Sequence, residues 1–336
     1  MYKYITLISI VVFLSSCFKE DEKITPHDPG DVSTAIIPLT RYYSNQVYYS
    51  LEKEEIVSIN NRSLFDLNFN CNNTSSIIRL NTANFALAAE TIFENLEDVA
   101  DTTGLDWKFD VSDGNPDSLA INNWINVVDE DTLYSNKVWV INRGINSQGI
   151  FLGLIKIKFT KFKLNTYYFT YSNMDNSNRV EASVIKNPIY TYIQYSVDSE
   201  AIEQTEPETN SWDLLFTQYT TMLTTSEGEL YPYLLTGALQ NQSITRVALD
   251  TTMQFDNIVL ADTISFNFSK ALDKIGYNWK ELIGDVNTGN VYYEIRIDYN
   301  YIIFDGNSYY YKLRFINFYD PLTGEKGYPT FEFQRL

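Results

Sequence analysis

Apolar and polar residues alternate along most of the chain. Phe65-Asp66-Leu67-Asn68-Phe69 does so, as do Ile155-Lys156-Ile157-Lys158-Phe159, Tyr311-Lys312-Leu313-Arg314-Phe315 and Thr330-Phe331-Glu332-Phe333-Gln334. A period of two puts alternate side chains on opposite faces of a strand. Each run therefore predicts a strand with one face in a core and the other in water. Turn signals separate the runs: Asp113-Gly114-Asn115, Arg143-Gly144, Glu227-Gly228, Asp305-Gly306-Asn307 and Asp320-Pro321-Leu322-Thr323-Gly324. One segment departs from this pattern. Over residues 84–99, Phe85, Ala88, Ala89, Ile92, Phe93, Leu96 and Val99 recur at helical spacing, with Glu90, Glu94 and Glu97 off that stripe. That spacing predicts a helix. The expected class is mainly β, in two tandem antiparallel modules with few short helices.

The expectation of two modules comes from recurring strings. Tyr49-Ser50-Leu51 is echoed by Tyr195-Ser196-Val197, and Phe65-Asp66-Leu67-Asn68-Phe69 by Trp212-Asp213-Leu214-Leu215-Phe216. Gly104-Leu105-Asp106-Trp107-Lys108 is echoed by Gly276-Tyr277-Asn278-Trp279-Lys280, and Lys156 to Phe162 by Lys312 to Phe318. The offsets are 146, 147, 172 and 156 residues, so the copies differ by insertions. The predicted organisation is a processing segment (1–17), a tether (18–40), a divergent module (41–187) and a second module (188–336), with a junction near Asn187-Pro188. By the offsets, the second copy is longer between Phe216 and Gly276. An interval where the copies disagree is where function is expected.

The first residues are not read as part of the fold. Lys3, then the apolar run Ile5 to Leu14, then Leu14-Ser15-Ser16-Cys17, resemble a bacterial lipobox. Its cysteine is lipidated, and several acyl chains on Cys17 would anchor the chain to the outer membrane. Lys19-Glu20-Asp21-Glu22-Lys23 follows and resembles the acidic surface-export signal of Bacteroidetes-type lipoproteins. Residues 24–40, with Pro26, Pro29, Gly30 and Pro38, read as a stalk. With Cys17 lipidated, Cys71 has no partner for an intrachain disulfide. Exported stability must then come from large cores, which about 300 residues can supply. The net charge of −18 argues against a nucleic-acid partner. The 26 Tyr and 20 Phe suit half-buried strands.

Catalytic signatures are sparse, and the chain is read as not being an enzyme. Its one histidine, His27, lies in the tether, which removes Ser-His-Asp and Cys-His machinery and His-based zinc sites from the rest. Asp110, Asp113, Asn115 and Asp117 form an acidic loop, but their spacing departs from the EF-hand pattern.

The second half carries a family resemblance. Ser211 to Phe216, Leu235-Thr236-Gly237-Ala238-Leu239, Ile275 to Lys280, Tyr311 to Phe315 and Glu325 to Phe333 together resemble the HmuY family of Bacteroidetes outer-membrane lipoproteins, most clearly over 190–336. The resemblance implies an all-β fold and haem capture at the cell surface for a TonB-dependent transporter. It also implies axial ligation by paired His or paired Met. The His version is absent here. Among the methionines, Met222 and Met253 fall in the longer interval and are the candidate iron ligands, with Tyr231 and Tyr233 as candidate flanking aromatics. Met174 reads as a strand-end residue. Trp107, Trp212 and Trp279 read as core residues. The alternative reading is a surface glycan-binding or adhesive module without haem.

Overall fold

A computed structural model describes residues 30–128, 131–285 and 288–336. The processing segment, Cys17, His27 and the tether before Gly30 lie outside the described residues. The strands of the first half are β1 (Ser33–Ile36), β2 (Asn45–Ser50), β3 (Glu55–Asn61), β4 (Leu67–Asn70), β5 (Ile78–Leu80), β6 (Leu87–Glu90), β7 (Ile125–Val128), β8 (Asp131–Tyr134), β9 (Trp139–Asn142), β10 (Leu154–Lys163) and β11 (Thr166–Asn173). Those of the second half are β12 (Val180–Ile185), β13 (Tyr192–Ser196), β14 (Ala201–Ile202), β15 (Leu214–Thr224), β16 (Leu230–Gln240), β17 (Arg246–Asp250), β18 (Lys280–Asp285), β19 (Asn290–Ile295), β20 (Asn300–Phe304), β21 (Tyr310–Tyr319) and β22 (Lys326–Arg335). Every pairing among them is antiparallel. The class is mainly β, and the helical segments among the described residues are short 3-10 turns.

Two apolar cores form between sheets. The first, from Leu67 to Tyr195, lies between the sheet β14-β13-β4-β5 and the sheet β12-β11-β10-β9-β6. The second combines Ala35, Ile37, Leu39, Val47, Tyr49 and Leu51 with residues from Leu214 to Phe333. It lies between β16-β15-β2-β3 and β1-β22-β21-β20-β17. The first three strands of the chain thus complete the second core: β1 pairs with β22 and β2 with β15. In the same way β12 pairs with β11 and β13 with β4. Asn187-Pro188 falls between β12 and β13, both of which contribute to the first core.

The repeated strings explain this closure. Asp66 Oδ2 accepts the Val197 N–H at 2.7 Å, and Asp213 Oδ2 accepts the Leu51 N–H at 2.7 Å. Each aspartate thus ties its own strand to the Tyr-Ser-(Leu/Val) string of the other half.

Three expectations change. The helix expected over 84–99 does not form. Phe85 takes a left-handed φ of 61°, and Leu87–Glu90 pairs with β9, Ala88 opposite Ile141. The ladder with β9, and a bridge from Ala88 to Lys108 on the other side, pair this stretch as a strand, and Ile92 of the expected stripe is left 80% exposed. Second, the polar faces of β10 and β21 are not simply in water. Lys156 Nζ donates to the Val99 carbonyl at 3.2 Å, and Lys312 Nζ to the Phe255 and Ile258 carbonyls at 2.8 and 3.1 Å. Connecting segments fold over these lysines and supply acceptors, so both are buried.

The third change concerns tryptophan. Trp279 is fully buried and stacks on Phe315 at 3.9 Å. Trp107 is only partly buried, beside a small cluster of Leu96, Val99, Val138 and Val140. Trp124 has the more similar place in the first core: it is buried 5.5 Å from Phe159, tilted rather than stacked, and a hairpin (β7–β8) follows it as β18–β19 follows Trp279. Trp124 and Trp279 stand 155 positions apart. That is close to the 156 of the Lys156/Lys312 strings, and counted from this pair of tryptophans the interval expected to be longer in the second half is nearly the same length in both halves. Trp212 is buried, but it stands outside both main cores.

Candidate ligand-binding site

Two hairpins stand on the second core. In β15–β16, Tyr231 lies opposite Leu223, Tyr233 opposite Thr221 and Met222 opposite Pro232. Directly paired residues share a face, so Met222 points away from the side that carries Tyr231 and Tyr233. The two tyrosine rings meet edge to face at 6.1 Å and are 37% and 49% exposed. Met253 packs elsewhere, against Ala248, Ile258, Ile302 and Leu336. Ala248 and Ile302 alternate with the core residues Val247 and Ile303, so this cluster covers the outer face of the sheet that holds β17 and β20. Met222 belongs to the opposite sheet of the sandwich. Met222 and Met253 are thus placed on different sheets, and no described contact joins them. Met174 packs beside Trp107.

The β18–β19 hairpin builds a different surface. Leu282 pairs with Tyr293 and Gly284 with Val291, which puts Leu282, Tyr293 and Val291 on one face. They line an open cleft of about 470 Å³ with Tyr319, Arg41, Glu325 and Lys326. Its size lies within the range of small-molecule sites. The Tyr293 N–H donates to the Tyr319 hydroxyl at 2.6 Å, which fixes the hairpin to β21. Lys280 anchors the base: its Nζ donates to the Thr236 carbonyl at 2.5 Å and lies 4.2 Å from the Trp279 ring centre. Burial pulls this amine down to about 7. Tyr233 is close enough to raise the pKa of Tyr293, after burial, the larger cause.

Arg41 and Lys326 reach the cleft through backbone pairing that no local pattern announces. The Leu39 N–H donates to the Gly327 carbonyl at 3.0 Å, and a Cβ on Gly327 would come within 2.1 Å of the Thr40 carbonyl oxygen. Only glycine allows this approach, at its φ of +100°. Arg41 pairs with Glu325 at 3.5 Å across an exposed rim. The sequence signals that could have pointed here are the alternation Val291-Tyr292-Tyr293 and the glycine at 327.

The acidic loop is used structurally. Asp110 accepts the Leu80 and Ala120 N–H groups at 2.7 and 2.8 Å. Among the described residues no group of three or more His, Cys, Asp or Glu is placed to hold a metal ion.

Residues 170–333 match the HmuY protein family. The chain carries a HmuY-type segment. That segment contains both hairpins, Tyr319 and Lys326, and leaves Arg41 outside. It begins within β11 and takes in β12 and β13; β13 pairs with β14 inside the segment and with β4 outside it. No curated protein matches the chain. Among solved structures, apo PinO from Porphyromonas gingivitis is 10% identical, covering 91% of this chain and 97% of that one at a TM-score of 0.29. The apo HmuY analog TFO of Tannerella forsythia is 16% identical, covering 46% of this chain and 95% of its own at a TM-score of 0.19. Among the described residues no helix is long and apolar enough to cross a membrane.

Proposed function

We propose that the chain is a surface-anchored ligand-capture lipoprotein of HmuY type, built from two copies of one β module and held to the outer membrane through Cys17. It takes haem or a related porphyrin at the β18–β19 cleft and passes it to a TonB-dependent transporter. The observation that carries the ligand reading is the pairing of an apolar face (Leu282, Val291, Tyr293) with two cations, Arg41 and Lys326, at one rim. A porphyrin needs a flat apolar contact for its ring and cations for its propionates. The cleft has no histidine or methionine, so the fit is to the tetrapyrrole body rather than to its iron. The role is binding without catalysis.

Titration with haemin and with metal-free protoporphyrin tests this. Both should bind saturably and with similar affinity, and Arg41→Ala with Lys326→Ala should weaken both several-fold, as expected for exposed charge pairs. No saturable Soret change in either oxidation state would end the porphyrin reading. A low-spin haem spectrum that Met222→Ala abolishes would move the site to the β15–β16 hairpin. The second reading, a glycan-binding or adhesive module, is favoured by the exposed rings of Tyr231, Tyr233 and Tyr292. Retention of soluble polysaccharide by a chain indifferent to porphyrin would support it.

A further inference from the structure

A second open cleft, of about 580 Å³, lies where the two sandwiches meet. Four stretches of chain line it. Asn70 to Asn73 follow β4, Pro188 to Thr191 precede β13, Glu208 to Asn210 precede β15, and Ser243 stands in the turn between β16 and β17. It shares no residue with the β18–β19 cleft. Hydrogen bonds tie the four stretches together. The Cys71 N–H donates to the Thr191 carbonyl at 2.9 Å, and the Thr209 N–H to the Ile189 carbonyl at 2.8 Å. Thr191 Oγ1 lies 3.1 Å from both Thr209 Oγ1 and Ser243 Oγ. Lys186 Nζ donates to the Asn72 carbonyl at 2.6 Å and also to that of Ser75, which fixes the asparagine loop. The walls are thus organised without a ligand, which lowers the cost of binding one.

Amides on these walls are free to bond. In the register of β4 with β13, Asn70 stands opposite Tyr192, on the face turned from the first core toward the second sandwich. Asn70 is only 8% exposed. Its Oδ1 accepts the Asn72 N–H at 2.9 Å, while its Nδ2 has no described partner and is not sealed from solvent. The side chains of Asn73 and Asn210 are exposed at the same cleft and likewise have no described partner. Tyr190 is half-buried: it packs against the first core and lines the cleft.

The chemistry of the walls narrows the ligand. An amide both donates and accepts, as do Ser and Thr hydroxyls, so these groups match a ligand whose own hydroxyls do both. The Tyr190 ring offers an apolar face to C–H groups. No Lys or Arg lines the cleft and the chain carries a net charge of −18, so an anion finds no partner there. Glu208 is the single lining carboxylate, too few for a metal ion, though it can accept from a hydroxyl. The volume lies within the range of small-molecule sites. We propose that this cleft is a binding site for an uncharged mono- or disaccharide, held by the amides of Asn70, Asn73 and Asn210 with the Tyr190 ring against its C–H face. The site depends neither on the porphyrin reading nor on the exposed tyrosines of the β15–β16 hairpin.

The test uses the full chain in a sugar-free detergent and saturation-transfer NMR. Maltose, cellobiose and lactose are the probes, with glucuronate as the charged control. A neutral probe should give a saturable signal, and glucuronate should give none. Asn73→Ala and Asn210→Ala, at exposed positions outside both cores, should each weaken that binding about three- to tenfold through loss of one hydrogen bond. Tyr231→Ala with Tyr233→Ala should leave it unchanged. Three results would overturn the proposal: no saturable signal from any neutral probe, undiminished binding by the Asn73→Ala and Asn210→Ala chains, or binding lost instead with the two hairpin tyrosines. Porphyrin binding is read separately by absorbance and should not change with added sugar.

Discussion

Asp66 and Asp213 occupy matched places and have different surroundings. Asp66 is paired with Arg143 at 2.7 Å, and Arg143 also reaches Asp198 at 2.8 Å. Asp213 has no cation beside it among the described ion pairs. Burial first, then the charges of Asp305 and Glu52, push its carboxyl up to about 7, with the Leu51 N–H opposing. Glu206, buried where the sandwiches meet, is pushed up to about 8 by burial. Both folded-state values stand above the unfolded ones, so the folded chain binds these protons more tightly. Their contribution to stability is complete below about pH 4 and is lost as pH rises through 7 to 8. Urea unfolding should therefore show stability declining between pH 5 and pH 8. Glu206→Gln should flatten that decline and make the chain more stable at pH 8, on the order of 2–4 kcal/mol. An unchanged slope would show that Glu206 stays ionised. The strings around Asp66 and Asp213 were visible in the sequence. The absence of an arginine beside Asp213 was not, because Arg143 is 77 residues from its partner.

At the scale of elements, strands were readable and their neighbours were not. The alternation of Tyr311-Lys312-Leu313-Arg314-Phe315 predicts β21, and Tyr311, Leu313 and Phe315 do face the second core. The helical spacing over 84–99 misled because that stretch is a short strand, Leu87–Glu90, flanked by two 3-10 turns. Pairing with β9 is a long-range event that periodicity does not record. The Gly-x-(Asp/Asn)-Trp-Lys match misled for a similar reason: Trp107 and Trp279 share letters but not packing. The glycines near Trp279 do have a local cause. Ala238 bridges Gly276, and a Cβ on Gly237 would come within 2.3 Å of the Gly276 carbonyl oxygen. Gly237→Ala should therefore lower stability by about 2 kcal/mol or more, by forcing that bridge apart. Thermal unfolding followed at the near-ultraviolet band of Trp279 would report it, and a loss within 0.5 kcal/mol would contradict the close approach.

For the whole molecule, the repeated order of the sequence and the two cores run out of step. Strands β1–β3 complete the sandwich built from β15–β22, 150 or more residues away in sequence. They contribute Ala35, Ile37, Leu39, Val47, Tyr49 and Leu51 to its core. At about 1.5–3 kcal/mol for each large buried side chain, their removal forfeits more than a domain's usual margin of stability. A chain lacking residues 30–61 should lose the second core and keep the first. Acrylamide should then quench Trp279 while Trp124 and Trp139 stay protected; protection of all three would refute the closure. By itself the sequence determined what depends on neighbours a few residues apart: the alternation that makes strands, the glycine and asparagine turns between them, and the HmuY-like strings of the second half. Only the tertiary structure decided what depends on distant pairing. It set which strands close which core, it placed Met222 and Met253 on different sheets, and it brought Arg41 and Lys326 to one cleft. The physical reason is that a strand's period fixes its faces but not its partner. Partner choice is made by backbone ladders and core packing summed over the whole chain.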